Sequence, residues 1–296
     1  MLLAAAFLSI NHLSSDAEGG IRVWPTWVEF TINSGEQATQ PVNVQNLDDE
    51  FVRMRVYAMD FSIDREGNFA FHDSGYESYS ASKWLAIEEG ELELAPGEVR
   101  EIDVEVATPA VVEPGGHYAA LFFEAIPSSN QGAISISTRI PSLFYLTVPG
   151  VTEADISANA DIVSLSMPGI AEKGPVEMGV VVRNSGNVHL TVAAKAHFSA
   201  SWGGGSELDL GQMVILPNSE GVIKGNWQQA PFFGRVKTSI VIGYLDQNGE
   251  LVNKSQTSDF WVIPWKVLTF GTVGLCLFIS GSVIIGKRYR LRLERK

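Results

Sequence analysis

An all-β chain of two tandem sandwiches, followed by one C-terminal helix that crosses a membrane, is the fold class the sequence predicts. Three observations carry it. Apolar and polar residues alternate in short runs set apart by turn residues. The same order of runs recurs in the second half of the chain. A charge-free stretch of 20 residues, Val267 to Gly286, precedes a basic tail. With 296 residues, 45% of them hydrophobic, the chain can bury two cores, and wholesale disorder is excluded.

In chain order, the first element is the run MLLAAAFLSI, too short to span a bilayer as a helix. With Ser15-Asp16-Ala17 after it, residues 1–17 read as a signal peptide cleaved after Ala17. No Lys or Arg precedes Arg22, so the usual basic leader is missing and an upstream start stays open. The strand-like runs of the first half are Pro41–Asn46, Phe51–Tyr57, Glu101–Val106 and Ala133–Ser137. Turn chemistry separates them at Asn33-Ser-Gly-Glu36, Asp64-Arg-Glu-Gly67, Ala95-Pro-Gly97 and Pro114-Gly-Gly116. Short strands at intervals of roughly 8–12 residues predict an immunoglobulin-like sandwich.

The second half repeats this grammar. Val180–Asn184 parallels Val42–Asn46, Ile215–Asn218 parallels Leu94–Gly97, and Phe233–Ile242 parallels Pro114–Phe123, at offsets of 138, 121 and 119 residues. The order holds while loop lengths differ, as expected of two copies of one topology. The boundary is expected near Pro149-Gly150, giving domains over residues 20–150 and 151–262. Pro264 ends the last strand, and residues 266–286 form the transmembrane helix. Trp261 and Trp265 on one side, and Lys287, Arg288 and Tyr289 on the other, suit the two membrane interfaces. The small residues Gly271, Gly274, Gly281 and Gly286 would let a second helix approach.

Charge sets the orientation. The net charge of −13 hides a balance of −18 in residues 1–286 against +5 in the tail 287–296. The tail is expected in the cytoplasm and the two domains outside, in a single-pass cell-membrane protein. The acidic balance argues against a nucleic-acid partner. A single cysteine, Cys276, excludes an intrachain disulfide and a cysteine-cluster metal site.

Residues that could carry chemistry are few. No nucleophile elbow, P-loop, dinucleotide fingerprint or His-Glu-x-x-His is present, so no catalytic residue, cofactor or metal is assigned. His189 and His197, eight apart, would lie about 26 Å apart on one strand, beyond joint coordination. His117 reads as a surface or edge histidine. The acidic runs Asp48–Glu50, Asp64–Asn68 and Asp246–Glu250 lack the full calcium-loop pattern and read as hairpin turns. The tryptophans are the interaction candidates, because aromatic faces stack on sugars and dominate interfaces. Trp24 and Trp27, three apart in the first strand, face opposite sides; Trp202 lies near a turn; Trp84 is expected in the core.

Pro25–Phe30, Val42–Asn46, Ala81–Leu85, Leu94–Gly97, Glu113–Glu124, Arg139 and Leu146–Gly150 together resemble the immunoglobulin-like domain called peptidoglycan-binding in WxL-interacting proteins of bacterial surfaces. They also look, more distantly, like the first domain of periplasmic pilus chaperones. The resemblance implies a membrane-anchored binding or scaffold protein that contacts peptidoglycan or a surface protein. The alternative is a tethered, chaperone-like assembly factor using strand addition. A third reading, an enzyme on wall polymer, would need carboxylates of separated pKa in a pocket.

Overall fold

Alternating burial is the physical signature of many of the strands. In Val99-Arg-Glu-Ile-Asp-Val-Glu-Val-Ala107, Ile102, Val104 and Val106 are buried while Glu101, Asp103 and Glu105 face solvent. The structure is a computed structural model and describes residues 20–88, 90–126, 137–201 and 204–293, without the side chains of 153, 286 and 288–293. Residues 1–17, expected to be a signal peptide, Trp202 and most of the Ala133–Ser137 run lie outside the described residues.

The described chain forms two compact units, each with its own core. Residues 20–62 and 70–155 make the first; residues 63–69 group with the second, which continues from Ile156. The first unit holds β1 (Ile21–Trp24), β2 (Trp27–Thr31), β3 (Gln37–Asn46), β4 (Val52–Ile63), β5 (Phe69–His72), β6 (Leu85–Ile87), β7 (Glu91–Leu94), β8 (Val99–Ala107), β9 (Gly115–Ile126) and β10 (Arg139–Val148). One sheet has the order β1-β3-β8-β6; the other has β2-β10-β9-β4-β5, with β7 also on β4. Val42, Val44, Val104 and Val106 from the first sheet meet Met54, Leu121, Phe123, Phe144 and Leu146 from the second.

The second unit holds β11 (Ala160–Ser166), β12 (Ile170–Ala171), β13 (Val176–Asn184), β14 (Leu190–Ala200), β15 (Gly205–Ile215), β16 (Glu220–Trp227), β17 (Gly234–Leu245), β18 (Leu251–Val262) and the helix α1 (Trp265–Leu293). Its sheets run β11-β13-β16 and β12-β18-β17-β14-β15. Val180, Val182 and Ile223 pack on Ala196, Ile240 and Phe260, with Trp227 stacked 4.0 Å from Phe198.

The two units share devices, not only an order of strands. Asn46 and Asn184 end equivalent strands and are fully buried. Asn46 Nδ2 donates to the carbonyls of Glu50, Leu94 and Ala95 at 2.7, 3.1 and 3.1 Å, and its Oδ1 accepts the Asp48 N–H. Asn184 Nδ2 donates to Val188 and Ile215 at 2.8 and 2.9 Å, and its Oδ1 accepts the Gly186 N–H. Each amide thus pins a strand end to the end of a distant strand. The turn that follows Leu94 puts Gly97 at φ 73°, and its counterpart puts Asn218 at φ 57°, the left-handed region that glycine and asparagine tolerate. In each unit the first strand breaks and crosses to the other sheet, where it pairs parallel with the last: β2 on β10, β12 on β18.

α1 begins at Trp265, directly after β18. Pro264 ends the ladder, and its carbonyl accepts the Leu268 N–H. Trp265–Ile285, 21 residues with none buried, is long and apolar enough to cross a membrane. The hydroxyls of Thr269, Thr272 and Ser282 donate to carbonyls of the same helix, which satisfies them without water.

Candidate functional site

The segment Ile21-Arg-Val-Trp-Pro-Thr-Trp-Val-Glu-Phe-Thr31 builds the most distinctive surface of the first unit. Ile21 and Val23 point into the core from β1, and Val28 and Phe30 point into it from β2. Pro25 has no N–H to give a ladder, and the chain crosses between sheets there, after a cis Trp24–Pro25 bond. The Ser142 hydroxyl donates to the Pro25 carbonyl at 2.8 Å, and the Leu143 N–H to the Thr26 carbonyl at 2.9 Å. Trp24 and Trp27 therefore belong to two strands rather than one. They stand on the opposite outer faces of the sandwich, 36% and 48% exposed.

β2 is an edge. The Thr26 carbonyl and the Ile32 N–H both face β10, the latter donating to Thr147 at 3.0 Å. By alternation, residues 27, 29 and 31 turn their backbone groups away from β10. No strand among the described residues pairs with β2 on that side. β10, by contrast, is enclosed between β9 and β2.

The outer face behind this edge is aromatic. Tyr145, opposite Glu29 in register, meets Phe61 at 5.7 Å and Tyr118 at 5.6 Å, and Tyr79 closes on Tyr118 at 5.4 Å. This second layer explains why β9 reads His-Tyr-Ala-Ala-Leu-Phe-Phe without alternation: both of its faces are covered. The covering segment is held by Asp60, which is 3% exposed. Asp60 accepts the N–H groups of Gly75, Tyr76 and Ser82 at 2.5, 3.2 and 3.1 Å and a short bond from the Ser80 hydroxyl. Burial pushes this carboxyl up, and the donors outweigh it, leaving it below the usual range. Burial lifts Glu29 above its ordinary value, and burial plus the Glu29 charge push Tyr145 up to about 12.

The remaining candidates sit as follows. Trp84 is a core residue, and His117 is not at the surface: it is 5% exposed, 4.6 Å from the Trp84 ring, with Nε2 donating to the Glu113 carbonyl at 3.0 Å. Burial holds both His117 and His189 below the normal imidazole value, His189 down to about 4. Two of the three acidic runs are hairpin turns: Asp64 Oδ1 accepts the N–H groups of Glu66 and Asn68, and Asp246 Oδ1 those of Asn248 and Glu250, each within 2.9 Å; Asp48–Glu50 is a bend. No group of three metal-ligating side chains occurs among the described residues. An open depression of about 420 Å³ on the second unit, between Ser199, Ser201, Arg235, Lys237, Thr257 and Asp259, has one carboxylate. That carboxylate, Asp259, pairs with Arg235 at 2.8 Å, which holds it below the usual range. Trp261 and Trp265 are exposed at the start of α1, and Lys287 lies exposed past its apolar part, followed on the helix by Arg288 and Tyr289.

The fold defines a class: two immunoglobulin-like sandwiches joined to a C-terminal apolar helix. No family model matches the chain, and no curated protein matches it. Among solved structures, the chain is similar to the class 5 fimbriae chaperone CfaA, with 15% identity over 83% of this chain and 100% of that one, at a TM-score of 0.41. It is similar to the YadV chaperone, with 10% identity over 80% and 99% and a TM-score of 0.42. The CupB2 chaperone of Pseudomonas aeruginosa gives 9% identity over 79% and 99%, at 0.38. The resemblance to WxL-interacting proteins finds no support in these comparisons.

Proposed function

We propose that the protein is a membrane-tethered, chaperone-like assembly factor that holds an extended segment of a secreted or surface protein by strand addition along β2. The carrying observation is the outward edge of residues 27, 29 and 31, with Trp27 half exposed beside it. Main-chain hydrogen bonds along such an edge supply affinity, and alternate side chains supply choice. A segment placing an apolar residue against Trp27 matches this edge. The Glu29 charge also keeps the edge from pairing with indiscriminate strands. On this reading the protein works by contact and not by catalysis. Residues 266–286 are the tether, with the sandwiches outside and the tail 287–296 in the cytoplasm. Peptidoglycan is the weaker ligand, because Trp24 and Trp27 point from opposite faces and cannot stack together on one glycan.

The test is photo-crosslinking in intact cells from benzoylphenylalanine at position 27, with exposed Thr39 on β3 as the control site. The expected result is a discrete protein adduct from position 27 that Thr31→Pro abolishes, since proline removes an outward N–H and leaves the β10 ladder whole. Adducts to glycan alone, or protein adducts indifferent to the proline, overturn strand addition.

A further inference from the structure

The second unit carries a mostly aromatic cluster of exposed apolar side chains, Ile170, Phe232, Phe233 and Trp261, at one end of its larger sheet. β17 starts at Gly234, opposite Val262, so the preceding Phe232 and Phe233 flank the point where the chain leaves β18 for α1. These rings are 73% and 48% exposed. On the other side of β18, Ile170 is registered with Trp261, and both are exposed. The first turn of α1 is fixed to this end: the Ile263 N–H donates to the Ala171 carbonyl at 2.8 Å, and Lys266 pairs with Glu172 at 2.7 Å. Lys266 also lies over the Trp265 ring. The far end of the same strands, about 40 Å away, carries no exposed ring among the described residues: a single exposed pair, Leu245 and Leu251, leads into the polar turn Asp246-Gln-Asn-Gly-Glu250.

We propose that this end is an interfacial collar: Ile170, Phe232, Phe233, Trp261 and Trp265 rest in the headgroup region of the bilayer that α1 enters. The proposal rests on the membrane reading of α1 given above. Aromatic rings favour that depth, and continuity with a 21-residue apolar helix brings bilayer to this end and to no other. Within the second unit, the apolar rings of the Phe232-Phe233 loop have no part in the core. With both the helix and the loop in contact, the sandwich is held at a set tilt instead of swinging on Pro264.

The experiment uses the full chain with Cys276→Ser, reconstituted in vesicles of phosphatidylcholine and phosphatidylglycerol. A nitroxide is attached in turn to Phe232→Cys, Asn248→Cys and Val273→Cys. Accessibility to a water-soluble nickel chelate and to oxygen reports depth. The collar requires position 273 in lipid, position 248 in water, and position 232 shielded from the chelate about threefold or more relative to 248. Position 273 in lipid with 232 as open as 248 overturns the collar and leaves the tether standing. Equal shielding at 232 and 248 also overturns it, as the contact would not be local. A water-exposed position 273 overturns the tether, and the collar with it.

Discussion

Asn46 and Asn184 show what a single buried amide does in this protein. Each satisfies carbonyls that the core has removed from water, and each ties together strand ends far apart in sequence. Truncation leaves those carbonyls unpaired, so Asn46→Ala and Asn184→Ala are expected to cost about 2–4 kcal/mol each in denaturant unfolding. Both asparagines are visible in the sequence as ends of the repeated Val-x-Val-x-Asn runs. Their role is not, because the partners lie 48 and 31 residues away. His117 was hidden for a related reason: Pro-Gly-Gly before it reads as a surface turn, whereas Trp84, brought in by the fold, covers it.

The titrating residues set an acid limit. His117 and His189 are held neutral by burial, so unfolding returns them to an ordinary value near 6.5 and the unfolded chain binds protons first. Stability is therefore expected to fall as pH drops through 6.5 towards 4, with His189 accounting for up to about 3 kcal/mol. Denaturant curves of His189→Gln should show a shallower loss over that window. Asp60 has the depressed value, so its contribution is present above the unfolded carboxyl range and disappears as pH falls below it. Glu29 has the opposite sign: its ionised form is penalised on folding, and Glu29→Gln should raise the midpoint slightly at pH 7 and leave it unchanged near pH 3.

Elements were legible where period two was clean. The alternation of β3, β4 and β8 and the turns between them stand in the sequence as they do in the sheets. The split of the first strand was not. Trp24 and Trp27 look like one strand because propensity does not say which sheet a residue joins, and only Pro25 marks the crossing. Edge status was equally silent, since it depends on where β10 lands after more than a hundred residues of chain. A proline scan of β2 tests the assignment. Thr31→Pro is expected to cost under about 1 kcal/mol, because its N–H faces outward. Phe30→Pro breaks a bond to β10 and should cost about 3 kcal/mol or more in the same unfolding assay.

At the scale of the molecule, the repeat and the terminal helix were the strongest signals, because both are patterns of order and length and need no knowledge of contacts. The chain lacking residues 266–296 is expected to partition with the soluble fraction after alkaline washing, while the full chain stays with the membrane. A full chain released by the wash would contradict the tether.

The parallel docking of β12 on β18 has a temporal meaning. A unit whose opening strand is completed by its closing one cannot finish its larger sheet until the whole unit is available, and such long-range closure is intrinsically slow. On the topology proposed above, the closing strand of the second unit is the last stretch to emerge before α1. On that topology, arrest of export at α1 and the final zippering of this sheet are successive steps, and the module matures already moored.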